Sequence, residues 1–221
     1  MAAMIGHLAV VEALILAKAG MDISDKHGNT PLFVATLKQH LEVMRVLLER
    51  GADANQGGGG HTLPPLSAAT LVMNTKTRPG DTSEAPSKVA AKASIALLAK
   101  HGADMDLGCE VRGMTALGIA AARAAPEAVH CLLEHKASVD VADGEDDTAL
   151  MLACYEGSAE CVAVLLASGA NVNLRSNRGA NAITLACQNN HPDCASLLLD
   201  AGFGLTETNG ANGPTLSINR D

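Results

Sequence analysis

Aromatic residues are nearly absent from this chain of 221 residues, which contains no Trp, one Tyr and two Phe. Its core must therefore be built from small and aliphatic side chains, because there are few large rings to fill it. Such side chains suit thin layers of closely packed helices better than one thick globule. With 48% hydrophobic residues the chain is also too apolar for a disordered segment, so we expect it to fold.

The sequence has no excess of positive charge and no long apolar run. Its formal net charge of −8 and its pI near 5.4 argue against nucleic-acid binding, which normally requires a basic surface. No apolar run of about 18 residues is free of charge, so we predict no membrane insertion. Residues 1–20 are apolar, but Glu12 interrupts them and no basic segment precedes them; we interpret them as folded helix, not a signal peptide.

Cysteine is too sparse for a disulfide framework. Six Cys in a chain of 221 residues are unlike the dense pairing of small secreted domains. We therefore expect reduced cysteines and a cytoplasmic, intracellular location.

One pattern returns along the chain at a fixed interval. Its alanines Ala120, Ala153 and Ala186 are spaced by one constant period of about 33 residues. A Leu-Leu pair begins twelve positions after each of them, and the same step joins Ala35 to Leu47. Repeats of this length predict a stack of small units, each of which buries its apolar face against its neighbours.

The motif resembles that of the ankyrin-repeat family over roughly residues 2–202. Gly28, Thr30-Pro31-Leu32 and Gly51-Ala52-Asp53 follow the family pattern closely, and residues 102–104 and 169–171 echo its end. The resemblance implies an all-α fold, an ankyrin-repeat solenoid of stacked helix-turn-helix units with hairpin fingers.

The repeat frame divides the chain into about six units. They are a truncated repeat 1 (1–24), repeat 2 (25–55), repeat 3 (56–107), repeat 4 (108–141), repeat 5 (142–174), repeat 6 (175–206) and the start of a seventh repeat or a tail (207–221). Repeat 1 starts inside its first helix, and Pro214-Thr215-Leu216 looks like the opening of a repeat. Because neither end has a clearly polar outer face, we expect self-association through the uncapped ends.

Capping and turn residues fit this frame. Thr30 and Pro31 are typical of the N-cap and the first helical position. A left-handed glycine is expected after the second helix of a repeat, at Gly51, Gly102, Gly169 and Gly202. Lys18 and Lys136 take that position in repeats 1 and 4. A residue other than glycine costs about 1 kcal/mol there, so we expect these two turns to be strained or to close in another way.

Repeat 3 departs from the frame twice. Its Leu-Leu pair, Leu97-Leu98, follows Ala69 at more than twice the usual step, so we expect an inserted loop at residues 71–86. Four glycines at 57–60 replace the usual hairpin tip and predict a flexible finger. A phosphate-binding loop would need a following Lys and Ser or Thr at fixed spacing, which His61 and Thr62 do not provide.

Two identical cysteine pairs could suggest a metal site. Cys154 and Cys161, and one repeat later Cys187 and Cys194, have six residues between them, whereas structural zinc ligands usually have two to four. We interpret them as small core residues and expect only Cys109, in a hairpin, to be exposed. The sequence therefore predicts no metal and no cofactor.

Three histidines, His7, His40 and His191, fall at one repeat position near the start of the second helix. The family resemblance implies that they form hydrogen bonds between neighbouring loops. No Ser, Cys or Lys is arranged with a His and a carboxylate in a pattern that suggests a catalytic triad. We therefore predict that the chain is not an enzyme.

The resemblance also implies a concave groove, lined by hairpin tips and first helices, as the surface that binds a partner. Transferred position by position, the candidate partner-binding residues are Lys26, His27, Asn29, Lys38, Arg112, Met114, Arg123, Glu145, Asp147, Tyr155, Glu156, Asn177, Arg178, Gln188 and Asn189. We predict a protein-protein interaction scaffold or adaptor, whose protein partner the sequence does not identify. The alternative is a regulatory ankyrin segment of a larger enzyme or channel, with the catalytic or transport part outside this chain.

Overall fold

The computed structural model describes residues 1–58, 63–73, 84–110 and 112–202, and of residues 84–88 only the helical backbone. The described residues form helices α1 (Ala2–Ile5), α2 (Leu8–Leu16), α3 (Pro31–Leu37), α4 (Leu41–Glu49), α5 (Pro65–Met73), α6 (Glu84–Lys100), α7 (Ala116–Ala122), α8 (Pro126–Glu134), α9 (Ala149–Glu156), α10 (Ala159–Ala167), α11 (Ala182–Gln188) and α12 (Pro192–Asp200). The odd-numbered helices contact one another in chain order, and the even-numbered helices do the same. The predicted all-α solenoid is thereby confirmed, with a first layer and a second layer of helices.

Four first-layer helices, α3, α7, α9 and α11, begin at side-chain caps. The side-chain oxygens of Thr30, Thr115, Thr148 and Asn181 each accept a hydrogen bond from the backbone N–H three residues later, at 3.0 to 3.4 Å. Because these N–H groups have no partner inside the helix, the cap stabilises each helix by about 1 kcal/mol. The predicted capping role of Thr30 is confirmed, and Thr115, Thr148 and Asn181 have the same role in repeats 4 to 6.

Alanine and leucine alternate in the core as the repeat predicted. Ala35, Ala120 and Ala153 have no exposed surface, which lets the paired helices approach closely. One turn earlier, each first-layer helix from α3 onward buries a larger aliphatic side chain. These are Leu32, Leu66, Leu117, Leu150 and Ile183. The core is therefore a series of thin aliphatic layers that needs almost no aromatic residue.

Backbone positions in the left-handed conformation recur through the stack. They follow the second helix, follow the first helix, or lie in the hairpin. The non-glycine residues with positive φ occupy such positions: Lys18, Gln39, Ala124, Lys136, Asp146 and Asn190. Lys18 has φ 58° and Lys136 has φ 72°, so both residues adopt the left-handed conformation that the repeat position requires, and the strain expected there stays a prediction.

Short Asp and Asn side chains join the ends of successive repeats. The carboxylate of Asp22 accepts a hydrogen bond from the Asp53 N–H at 3.0 Å, and Asp140 accepts one from Asn171 at 2.9 Å. The same link recurs in the middle of the stack, from Asp104 to Asn55 and from Ser138 to Asp106. These bonds satisfy backbone donors beyond the second helices and fix the spacing of the repeats.

Repeat 3 is more regular than expected at its glycine run. Gly58 and Leu63 exchange two backbone hydrogen bonds, at 3.0 and 2.9 Å, which close a hairpin. Gly58 is buried, and an added Cβ would lie 2.4 Å from the Phe33 ring, so the close approach requires glycine there. The expected flexible finger is therefore wrong at Gly58; residues 59–62 lie outside the described residues.

Both ends of the expected insertion are helical. Helix α5 continues to Met73, and α6 begins at Glu84 and is 17 residues long, whereas the other second-layer helices have nine. The loop expected at 71–86 is thus shorter at both ends, and residues 74–83 lie outside the described residues. The prediction of a loop missed these helical ends because it relied on the composition of the whole segment. Ala and Lys on either side of Val89 favour a helix, and α6 packs against α5.

Three of the four cysteines in the two Cys pairs are buried core residues, as expected. Cys154, Cys161 and Cys194 have no exposed surface, and burial raises the pKa of the Cys154 thiol to about 12. Cys187 is exposed instead, and Cys109 is half-buried, so Cys109 is not the single exposed cysteine. Cys187 occupies the register of Cys154 on the last described first-layer helix, where no described helix follows to cover it.

Candidate partner-binding face

The candidate residues come from two structural positions. The hairpins before the first-layer helices carry Lys26, His27, Asn29, Arg112, Met114, Glu145, Asp147, Asn177 and Arg178. The C-terminal ends of the first-layer helices carry Lys38, Arg123, Tyr155, Glu156, Gln188 and Asn189. We refer to the surface formed by these hairpins and helix ends as the groove face.

Two recesses show that the hairpins and helix ends belong to one surface. The first recess has a volume of about 660 Å³ and is lined by Lys26 and His27 from a hairpin and by Leu37 and Lys38 from the end of α3. The second is lined by Leu63, Leu71, Met114, Ala122 and Arg123, again from both positions. Side chains from a hairpin and from a helix end can therefore contact the same ligand.

The hairpins of repeats 4 to 6 are tied together through their backbones. The Gly144 N–H donates to the Arg112 carbonyl at 2.6 Å, and the Asn177 N–H donates to the Glu145 carbonyl at 3.0 Å. Because each hairpin is bonded to the next, these tips form a continuous edge.

Charges alternate along this edge. The carboxylate of Glu145 lies 3.4 Å from the Arg112 guanidinium and 2.5 Å from that of Arg178. Arg112 also reaches the buried carboxylate of Asp143, at 3.5 Å. Three of the candidate residues thus form one ion-pair network, and Glu145 is shared between two repeats.

Asp147 belongs to the same hairpin as Asp143 and Glu145 and is half-buried. Burial raises the pKa of its carboxyl, and the nearby negative charges of Asp143 and Glu145 raise it further, whereas Arg178 and Arg112 act in the opposite direction. Asp143 has a structural role in this hairpin. One of its carboxylate oxygens accepts hydrogen bonds from the backbone N–H groups of Glu145 and Asp147, and these bonds close the hairpin. Folding therefore disfavours the ionised form of the Asp147 carboxyl.

The helix ends present a row of apolar side chains in one register. Tyr155 is 53% exposed, Leu37 is 39% exposed and Met4 is 42% exposed. The backbone beneath this row is braced: the His40 ring lies 3.2 Å from the Met4 carbonyl, and the His191 ring lies 3.2 Å from the Tyr155 carbonyl. A carbonyl can only accept, so Nε2 of each ring donates, and the predicted loop-bridging role of these two histidines is confirmed.

Some candidate side chains are engaged within their own repeat. The amide of Asn29 donates to Asp25 at 3.1 Å, and the amide of Asn189 donates to the Leu185 carbonyl at 2.9 Å. These two residues brace the hairpin and the helix end. Lys26, Lys38 and Gln188 are exposed on the groove face.

Met4 belongs to the groove face but was not among the candidates. It stands one repeat period before Leu37, so carrying the repeat register back into repeat 1 would have identified it. The truncated first helix of repeat 1 obscured this signal. In the described part of the chain, no group of three or more His, Cys, Asp or Glu side chains is placed to hold a metal ion. None of the described helices is long and apolar enough to span a bilayer.

Comparison with known proteins adds the family. Residues 1–59 and 88–176 match a family model described as Ankyrin repeats (3 copies), and residues 178–209 match another described as Ankyrin repeat. Among solved structures, the chain is similar to an ankyrin repeat domain from Acinetobacter baumannii AYE, with 27% identity and a TM-score of 0.76. That similarity covers 91% of this chain and 96% of the other. No curated protein sequence matches this chain.

Proposed function

Because the chain belongs to the ankyrin-repeat family, whose repeats generally serve as protein-interaction modules, we propose that it is a scaffold or adaptor. Its protein partner binds along the groove face as an extended or helical segment. The observation that carries this proposal is that exposed Met4, Leu37 and Tyr155 share the groove face with the charged hairpin edge of repeats 4 to 6. Exposed apolar side chains with a polar rim are typical of a protein-binding surface.

The charge order along the groove face supports a particular partner. Lys26, Lys38 and Arg123 give the face of repeats 2 to 4 positive charge, and Arg112 adds to it although it is paired with Glu145 of repeat 5. Asp147 and Glu156 add negative charge to repeat 5. We expect the partner to carry acidic residues toward repeats 2 to 4 and a basic cluster at repeat 5, because complementary potentials fix the register of binding.

Tyr155 is the proposed aromatic anchor. It is the only Tyr of the chain, it is more than half exposed, and it lies next to Glu156 at the end of α9. Tyr side chains contribute large contact areas at low entropy cost and are enriched among the residues that dominate binding energy.

Parallel affinity purification tests this proposal. The full chain and the variants Tyr155→Ala and Leu37→Ala are immobilised, and captured proteins are quantified by mass spectrometry. The matched control is Val89→Ala, which truncates an exposed apolar side chain on second-layer helix α6. A partner should be retained by the control and depleted by both groove-face variants. A partner retained by both groove-face variants, with all chains folded, would show that binding uses another surface.

A further inference from the structure

The second recess lies between repeats 3 and 4 on the groove face. Its volume is about 500 Å³, within the usual size range of ligand sites. The residues that line it all belong to the described part of the chain: Leu63, Leu71, Met114, Ile119, Ala122 and Arg123. Five of these six side chains are apolar, so the recess can bury a hydrophobic group, and Arg123 places a positive charge at its wall.

A small residue in the apolar row creates the recess. Ala122 takes the register of that row and is half-buried. In the repeats around it, the same position has larger side chains: Leu37, Leu71 and Tyr155. Because the Ala122 side chain is a single methyl group, the row has a gap that a larger side chain would fill. Ile119 lies one turn earlier on α7 and is only 8% exposed, so it forms the floor of this gap.

The opposite wall of the recess comes from the hairpins, at the residue before the N-cap position. In repeats 3 and 4 this residue is the large apolar Leu63 or Met114, whereas repeats 2 and 5 have polar Asn29 and Asp147. Met114 packs over Gly118, because a Cβ added to Gly118 would lie 3.1 Å from Met114 Cγ. Repeats 3 and 4 thus bring apolar side chains from the hairpins and from the helix ends to the same recess.

The charges at the recess favour a carboxylate. At the register of Arg123, repeat 2 has Lys38 and repeat 3 has the uncharged Val72, and the first acidic residue is Glu156 of repeat 5. Arg123 and Lys38 are both exposed. The whole chain has a formal net charge of −8, so this local positive charge is opposite in sign to the molecule as a whole. Because complementary potentials fix the register of binding, a segment that fills the recess should carry an acidic residue beside its apolar group.

We propose that the second recess binds a short motif of the protein partner in which an apolar residue stands near an acidic one. The aliphatic or aromatic side chain enters the gap above Ala122, and the Asp or Glu carboxylate pairs with Arg123. This inference rests on the proposed function, because it identifies what the groove face recognises at repeats 3 and 4. The apolar side chain is buried against Leu71 and Met114, and the carboxylate fixes the position of the segment along the groove face.

Selection of displayed random peptides on the immobilised full chain tests the motif. Selected peptides should share an aliphatic or aromatic residue that is adjacent to an Asp or Glu, or one helical turn from it. Fluorescence anisotropy then measures the affinity of each synthetic peptide for wild type and for two variants. Ala122→Leu fills the recess with the side chain that other repeats have at this register, so it should weaken binding at least about tenfold. The control Ala163→Leu adds the same volume at an exposed position of second-layer helix α10 and should leave binding unchanged.

A charge exchange tests the carboxylate contact. Arg123→Glu should weaken the selected peptides several-fold. The same peptides with Lys in place of their Asp or Glu should bind Arg123→Glu more tightly than they bind wild type. The matched control is Arg50→Glu, at the exposed end of α4, which should leave these affinities unchanged. Circular dichroism checks that each variant is folded, and Arg123→Gln replaces Arg123→Glu if the latter unfolds.

The outcomes separate this motif from the groove face as a whole. Selected peptides that are weakened by Tyr155→Ala but not by Ala122→Leu overturn the motif and leave the proposed function standing. Peptides that combine the apolar residue with Lys or Arg, and a selection that enriches no common motif, overturn it as well. If neither Tyr155→Ala nor Ala122→Leu weakens any selected peptide, the motif fails, and the affinity purification with Tyr155→Ala and Leu37→Ala decides the proposed function separately.

Discussion

At the residue scale, backbone strain is concentrated where a repeat uses a left-handed residue other than glycine. Lys136 follows α8 with φ 72°, and its side chain is exposed. We expect Lys136→Gly to raise the free energy of unfolding by about 1 kcal/mol or less, because relief of strain exceeds the added entropy of the unfolded chain. Thermal unfolding should show an increase of about 2 to 4 °C for a chain of this size.

Gly169 allows the opposite substitution, in which a left-handed glycine is replaced by another residue. It has φ 85°, and no atom lies within 4 Å of an added Cβ, so Gly169→Ala changes backbone strain without a steric clash. We expect a loss of stability of similar size. If both substitutions leave the melting temperature unchanged, the left-handed positions do not store strain.

Asp147 gives a pH dependence of definite sign. Its pKa is raised in the folded chain, chiefly by burial and then by Asp143 and Glu145, so the folded state holds the proton more tightly than the unfolded state. This contribution to stability is complete below the ordinary value of 3.8 and is lost as the pH rises through the raised pKa. Asp147→Asn should therefore melt at a higher temperature than wild type at neutral pH, and the difference should shrink on acidification. A difference that grows on acidification would contradict the assignment.

At the element scale, α6 combines a regular repeat helix with an extension. The buried residues Ala91, Ile95 and Leu98 keep the repeat core, whereas Val89 near the extension is 66% exposed. We expect replacement of residues 74–88 by a short Gly-Ser connection to lower the melting temperature by less than about 4 °C, because surface connections tolerate length changes.

Leu98→Ala is the control for the α6 replacement. Leu98 has no exposed surface, so truncation should cost about 2 to 5 kcal/mol through lost burial and a cavity. Differential scanning calorimetry compares the two variants directly. A fall for the shortened chain as large as that of Leu98→Ala would show that the inserted residues pack as part of the core.

At the scale of the whole molecule, we expect the aromatic anchor and the rim charges of the groove face to affect different steps of binding. With an identified partner, Tyr155→Ala should mainly speed dissociation, and a cost of about 2 kcal/mol corresponds to roughly thirtyfold weaker binding. Neutralising Glu145 and Asp147 together should mainly slow association and flatten its dependence on salt. Surface-plasmon kinetics at two ionic strengths distinguish the two effects. Unchanged kinetics in both folded variants would count against the groove face.

The sequence alone determined the repeat length, the helical layers and the left-handed turns that follow the second helices. These features depend on local residues, such as Thr30 as a cap and Lys136 at a glycine position, and the constant period repeats them along the chain. The positions of the candidate binding residues followed from the same register. Their function stays a prediction, because register places a side chain but does not name what it contacts.

Only the tertiary structure decided how neighbouring repeats affect the exposure and the charge partners of a residue. Cys154 and Cys187 share one register, yet Cys154 is buried and Cys187 is exposed, because burial depends on which helix follows. Glu145 reads as part of an acidic cluster, but the adjacent hairpins place Arg112 and Arg178 against it. Exposure and pairing are properties of the stack, since both are set by residues about one repeat away.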